Sequence, residues 1–176
     1  MRSFSGKRER LVYPGLQKII SGGQTGADRA GLDAAMVAGM AVGGHCPAGR
    51  AAEDGVIPGR YPLTEIEAGY RQRTRLNVEA ADANCIIYHG MPQGGTALAL
   101  SSCLKKGKPF KLIDMSMITH ESAAVSLLEF VCDNRVGCLN VAGPREGRCP
   151  GVYDYVFMLV ARMIELVTEL GESPEY

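Results

Sequence analysis

Two glycine-rich turns hold most of the residues that could do chemistry in this sequence. The first, Ser21-Gly22-Gly23-Gln24-Thr25-Gly26, opens the stretch SGGQTGADRAGLD. Glycine allows positive φ angles and close approach. Several backbone N–H groups would then point outward at a helix N-terminus, where the helix dipole favours an anion. Arg29, one turn in, can add a forked cationic contact to a phosphate or another oxyanion. The second turn, Met91-Pro92-Gln93-Gly94-Gly95-Thr96, repeats the logic. Gly94 and Gly95 bare their amides, and Thr96 can cap the helix or bond an anion oxygen. Each turn has a Gln and a Thr, and the pair suits a ligand with more than one anionic group, such as a nucleotide. The first turn matches neither GxGxxG nor GxxxxGK[ST], and it has no P-loop lysine for ATP hydrolysis. A plainer reading stands beside this one. Gly22 and Gly23 can simply make a tight turn, Asp28 can offset the helix dipole, and Arg29 can pair with Asp33 at i, i+4.

The segment GGHCPAGRAAEDGVIPGRYPLTE places His45, Cys46, Arg50, Glu53, Asp54 and Arg60 together. Adjacent His and Cys without a partner pair at standard spacing do not make a structural metal site, so no protein-ligated metal is expected. The stretch from 45 to 63 is rich in Gly and Pro and reads as a lid or rim loop that presents Arg50, Glu53 and Asp54 to the ligand. In the helix that follows, Tyr70, Thr74 and Asn77 fall at i, i+4 and i+7 and share a face. Thr74 and Asn77 need partners if buried, so they either cap a neighbouring loop or line the site. Arg71, Arg73 and Arg75 read as a solvated face, His89 as a rim residue and His120 as an ordinary surface residue. No GxSxG occurs, and no Ser or Cys has a sequence-adjacent base, so no catalytic residue is assigned.

These groups need a scaffold, and the composition suits one. The chain has 176 residues, 46% hydrophobic and 22% charged, which fits one domain with a real core. Lys plus Arg equals Asp plus Glu, 19 each, which gives no electrostatic reason to expect nucleic acid or a membrane surface as partner. No apolar run approaches a membrane span, and the basic N-terminus lacks the apolar core of a secretory signal. Six unpaired-looking cysteines imply a reducing cytoplasm, with Cys85 and Cys103 as small core residues. Residues 1–15 read as a flexible tail, and 16–176 as one Rossmann-like domain.

Strands are expected at 16–21, 40–44, 83–90, 109–115 and 137–143. Helices are expected at 27–39, from Thr64 through Ala80, up to Lys106, from a Thr119 cap to about Cys132, and from near Pro150 onward. Strands alternate with helices five times, which predicts an α/β, doubly wound, mostly parallel sheet with helices on both faces. Such a fold binds its ligand beyond the C-terminal strand ends. Both glycine turns and the loop after LNVAG lie at such ends, so the three should converge on one rim.

Five blocks, ISGGQTGADRAGLDAA, GGHCPAGRAAEDGVIPGRYPL, RTRLNVEAADA, QGGTALA and LNVAGPRE, together resemble the molybdenum carrier, or molybdenum cofactor carrier-like, proteins. These are circularly permuted YpsA-type members of the SLOG group of Rossmann-like proteins. The resemblance covers roughly residues 17 to 165. It implies a homo-oligomer, a tetramer or dimer, that binds the molybdenum cofactor or molybdate, with molybdoenzymes as further partners. Gly22, Gly23, Gln24, Thr25, Gly26 and Arg29 match the family's first block, and Gly94, Gly95 and Thr96 its GGT block. Arg50, Glu53 and Asp54 match the loop block, and Thr74 and Asn77 the helix block. His45 stands where the family usually has an aromatic residue, and Ala81 where Ser usually precedes Asp82. The related LOG-type nucleotide phosphoribohydrolases carry a catalytic Glu three residues after the glycine-turn Thr, and here that position is Ala99. A nucleotide N-glycosidase is therefore the alternative only if Glu53 or Asp54 supplies the carboxylate. A nucleotide-signal sensor is a further alternative.

Overall fold

The structure, a computed structural model, describes residues 15–172. The tail expected at 1–15 lies outside the described residues except for Gly15. Five short apolar strands pair side by side, all parallel: β1 (Lys18–Ile20), β2 (Ala41–Gly43), β7 (Ala83–Tyr88), β8 (Phe110–Asp114) and β9 (Cys138–Ala142), in the order β2-β1-β9-β7-β8. Five helices cover them: α1 (Ala27–Val37), α2 (Tyr70–Ala80), α3 (Gly94–Lys106), α4 (His120–Asp133) and α5 (Val152–Gly171). The doubly wound α/β reading is borne out.

The two faces of the sheet differ in chemistry. Strand side chains alternate between faces. Ile19, Ala83, Cys85, Ile87, Leu139 and Val141 join α1, α4 and α5 in one large apolar cluster. The period-four-and-three stripe Val152, Val156, Leu159, Met163 and Val167 buries α5 there, between α1 and α4. The opposite face, under α2 and α3, has a smaller apolar cluster of Val78, Ile86, Ala99 and Cys103. Cys85 and Cys103 are buried as expected, and burial pushes their thiols up to about 12 and about 11.

The helix expected from Thr64 starts instead at Tyr70, with Gly69 as its N-cap. Residues 64–66 have acceptable helix propensity but pair as a strand, β6 (Thr64–Ile66), parallel to β3 (His45–Pro47). The Thr64 amide donates to the Gly44 carbonyl, and the Gly49 amide to the Glu65 carboxylate. Tertiary pairing overrides local preference here. The long loop is also less irregular than expected. It holds β3, a 3-10 turn at Ala48–Arg50, and a hairpin of β4 (Ala51–Ala52) and β5 (Gly55–Val56). Its own small core is Leu32, Cys46, Ile57, Tyr61 and Leu63.

Candidate functional site

Strand order reverses between the β1–β2 pair and the β7–β8 pair, with β9 inserted between them. Connections leave this point in opposite directions, which opens a crevice above the strand ends. A cavity of about 650 Å³ occupies it. Its walls come from the turn after β1 (Gly22, Gln24) and the first turn of α1 (Asp28), from α2 (Tyr70, Arg71, Arg73, Thr74, Asn77), from the turn after β7 and the start of α3 (His89, Gly94, Gly95, Thr96), and from β9 and its loop (Asn140, Arg145, Arg148). The three turns expected on one rim do meet.

The two glycine turns differ in state. The first is filled from within. The Asp28 carboxylate accepts from the Gln24 amide at 3.4 Å and the Arg73 Nη1 at 3.0 Å, and the Gly22 amide also bonds it. Burial raises the Asp28 pKa above the usual carboxylate range, and Arg73 and the two amides oppose that rise. The Ser21 hydroxyl donates to the Asp28 carbonyl and accepts from the Gly23 amide. The glycines of this turn serve close packing within the chain. A Cβ on Gly22 would lie 1.6 Å from Arg73 Nη1, and one on Gly26 would lie 2.5 Å from the Pro144 carbonyl oxygen. Of the readings open at this turn, the structure shows tight packing around a helix-start carboxylate rather than amides free to hold a separate anion.

The second turn is open. Among the described residues no side chain caps the N-terminus of α3. Arg148 Nη1 stands 3.8 Å from where a Cβ on Gly94 would sit, and nothing among the described residues lies within 4 Å of the corresponding point on Gly95. A helix N-terminus beside a guanidinium favours negative charge. Arg71, Arg73, Arg145 and Arg148 line the cavity, and Asp28 is the one carboxylate lining it among the described residues.

Other expected site residues are elsewhere. Ser21, Gly23, Thr25, Gly26, Arg29, Arg50, Glu53 and Asp54 do not line the cavity. Arg29 holds Asp54 through two nitrogens, the longer contact at 2.8 Å, and donates from Nε to the Gly23 carbonyl. That pairing with Asp54 replaces the expected pairing with Asp33, and it lowers the Asp54 pKa. Thr25 hydroxyl donates to Glu53, which also accepts from the Gly147 amide; the Thr25 bond is the larger cause of a lowered Glu53 pKa. Gln24 Oε1 accepts from the amides of Thr25 and Glu53. Arg50 turns into its own loop and donates to the carbonyls of Ile57, Pro58, Tyr61 and Leu63 at 2.9–3.4 Å. The expected lid is thus pinned back against the first turn. Thr25, Gly26 and Arg29 border a separate hollow of about 380 Å³ with Asp33, Arg60, Tyr61, Glu146 and Tyr153.

Thr74 and Asn77 reach the cavity while doing structural work. Thr74 donates to the Tyr70 carbonyl. Asn77 accepts from the His45 amide at 2.8 Å and donates to the His45 carbonyl at 3.0 Å, so it ties α2 to β3. Sequence reasoning missed Arg73, Asn140, Arg145 and Arg148. Arg73 sits at i+3 from Tyr70 and i−4 from Asn77, so the face those two residues share is the sequence signal that points to it.

A family model described as the circularly permutated YpsA SLOG family matches residues 19–164. A crystal structure of a "Putative molybdenum carrier protein" from Syntrophus aciditrophicus SB is similar at 40% identity, over 86% of this chain and 96% of that one, with a TM-score of 0.84. No curated protein matches the chain.

Proposed function

The chain belongs to the circularly permutated YpsA SLOG family, and on that premise we propose that it is a carrier for an anionic, nucleotide-like cargo, foremost the molybdenum cofactor. The observation that carries this is the pairing of an uncapped α3 N-terminus with Arg148, in a cavity where four arginines face a single carboxylate that is already bonded. The volume suits a ligand of cofactor size. The cargo's anionic group would lie on Gly94, Gly95 and Thr96, with Arg148 and Arg145 beside it. Gln24, Thr74 and Asn77 would line the remainder. The crystal structure described as a molybdenum carrier supports this reading by similarity over nearly its whole length.

The same proposal has residues 16–176 acting as one domain, in the cytoplasm, as a homo-oligomer that delivers cargo to molybdoenzymes. Hydrolysis of an N-glycosidic bond is not favoured. Ala99 is buried in α3, and Glu53 and Asp54 are engaged outside the cavity. The test is to purify the protein from a host that makes the cofactor, then assay pterin fluorescence after oxidation and bound molybdenum. Stoichiometric pterin supports the proposal. Absence of both, with no binding when cofactor is added in vitro, overturns it.

A further inference from the structure

A buried strand in a parallel sheet covered on both faces is normally apolar throughout. Two strands here break that rule at the same register. Asn84 in β7 pairs directly with Asn140 in β9, and the residues are 0% and 2% exposed. Asn140 Nδ2 donates to Asn84 Oδ1 at 2.9 Å. Asn84 Nδ2 is buried and has no hydrogen-bond partner among the described residues. A half-satisfied buried amide is costly, and replacing both members by apolar groups of the same shape is near neutral. Packing alone therefore gives no reason to keep the pair.

The position gives one. Asn84 and Ile86 are two residues apart in β7, so they share a face, and Ile86 packs against α2 and α3. Asn140, bonded to Asn84, faces the same way. The cavity is walled on this side by α2 and the start of α3, and Asn140 lines it. With one N–H given to Asn84, its carboxamide keeps one N–H and one carbonyl acceptor. Exchanging oxygen and nitrogen in both amides still leaves Asn140 one donor and one acceptor, in reversed order. A carboxamide of that kind forms two parallel hydrogen bonds with a planar ring that offers an adjacent acceptor and donor. A tetrahedral oxyanion has no such edge.

We propose that Asn140, with Asn84 as the positioning residue behind it, selects a cargo that carries a nitrogen heterocycle as well as an anionic group. A bare oxyanion such as molybdate is then not the preferred ligand. This rests on the anionic-cargo reading above and narrows it. Arg148 and the α3 N-terminus take the anion, and Asn140 takes the donor–acceptor edge of a fused ring, either a pterin or a purine.

The experiment measures dissociation constants by calorimetry for neopterin monophosphate, GMP, AMP, inorganic phosphate and molybdate. It compares the wild type, Asn140→Leu, and the double variant Asn84→Leu/Asn140→Leu. In the wild type at least one ring-bearing phosphate should bind about tenfold or more tighter than inorganic phosphate, as expected for a satisfied pair of hydrogen bonds in a buried site. Both variants should lose that preference while keeping their affinity for inorganic phosphate. The double variant should melt no lower than the wild type, which keeps the test valid if the single variant folds poorly. The pterin and purine arms identify the ring class. Retention of the ring preference in a folded variant overturns the inference. So does a wild type that binds phosphate or molybdate as tightly as any ring-bearing compound, although the carrier proposal survives that result. Failure to bind any of the five overturns the inference, and the cofactor assay above then decides the carrier proposal.

Discussion

Gly22→Ala tests whether the first glycine turn is an internal packing device. A Cβ there would lie 1.6 Å from Arg73 Nη1, 2.4 Å from its Cζ and 2.8 Å from its Cδ. The φ of Gly22 is not positive, so alanine is not strained by its own backbone. The substitution must act by expelling Arg73. Its partner Asp28 has only 6% of its side chain exposed and would stay behind with backbone amides alone. Removing one member of a buried pair costs roughly 3–5 kcal/mol, and about 3 kcal/mol is expected here because Arg73 can turn into the open cavity. Arg73→Met should cost a similar amount by stranding the same carboxylate. In the Arg73→Met background the added methyl meets a flexible side chain, so the second change should cost about 1 kcal/mol or less.

The double-mutant cycle therefore predicts a coupling of about 2 kcal/mol or more between residues 51 positions apart (73 minus 22). Urea denaturation of the four proteins measures it from midpoints, provided the slopes agree. A pH series adds a second readout. The folded Asp28 pKa is raised, so the folded state favours its protonated form, and the ionised form costs stability as pH rises through that value. Losing Arg73 raises the pKa further. The deficit of either single variant should thus be largest near neutrality and shrink as pH falls. Additive costs, or a deficit that does not change with pH, would refute the reasoning.

Two further perturbations separate the cavity from its surroundings. Arg148→Ala should weaken binding of an anionic probe about tenfold or more, reduce its salt dependence, and leave the urea midpoint nearly unchanged, because Arg148 is exposed. Arg50→Met removes the donor to four carbonyls of its own loop and should cost about 1–3 kcal/mol, with faster proteolysis within residues 51–63 and unchanged probe affinity; an affinity loss matching that of Arg148→Ala would restore the lid role.

The sheet, its four crossings and the meeting of three turns on one rim were legible because each is written in local sequence. Short apolar runs end in glycine, helical stripes repeat at three and four, and strand C-terminal ends follow from chain direction. The α2 start was misread for a physical reason. TEIEAG is compatible with a helix until β3 is there to pair with it, and that pairing is a tertiary event. The open state of the second turn was legible because its residues act alone. Gly94, Gly95 and Thr96 have no carboxylate nearby in sequence to fill their turn, and the turn is open.

Where a residue acts through a distant partner, local reading ranked it wrongly. Arg71, Arg73 and Arg75 look alike as a string, but Arg73 alone bonds Asp28, 45 residues away. Glu53 and Asp54 look available in a loop, yet Thr25 and Arg29, 28 and 25 residues off, already hold them. Asn140 carries no local signal at all, because its partner Asn84 is 56 residues distant. The two turns illustrate the same point. Both were read as cradles because both have glycines at a helix start, but a helix start holds a free anion only if the chain has not already supplied one. At the first turn Asp28 is that anion and Arg73 its counterion. The missing P-loop lysine then has a structural explanation: the cation of the first turn comes from α2 rather than from the loop, and it serves a protein carboxylate. Beside the open second turn stands Arg148, from the loop after β9, whereas Arg145 of the same loop pairs with Glu53 at 3.8 Å.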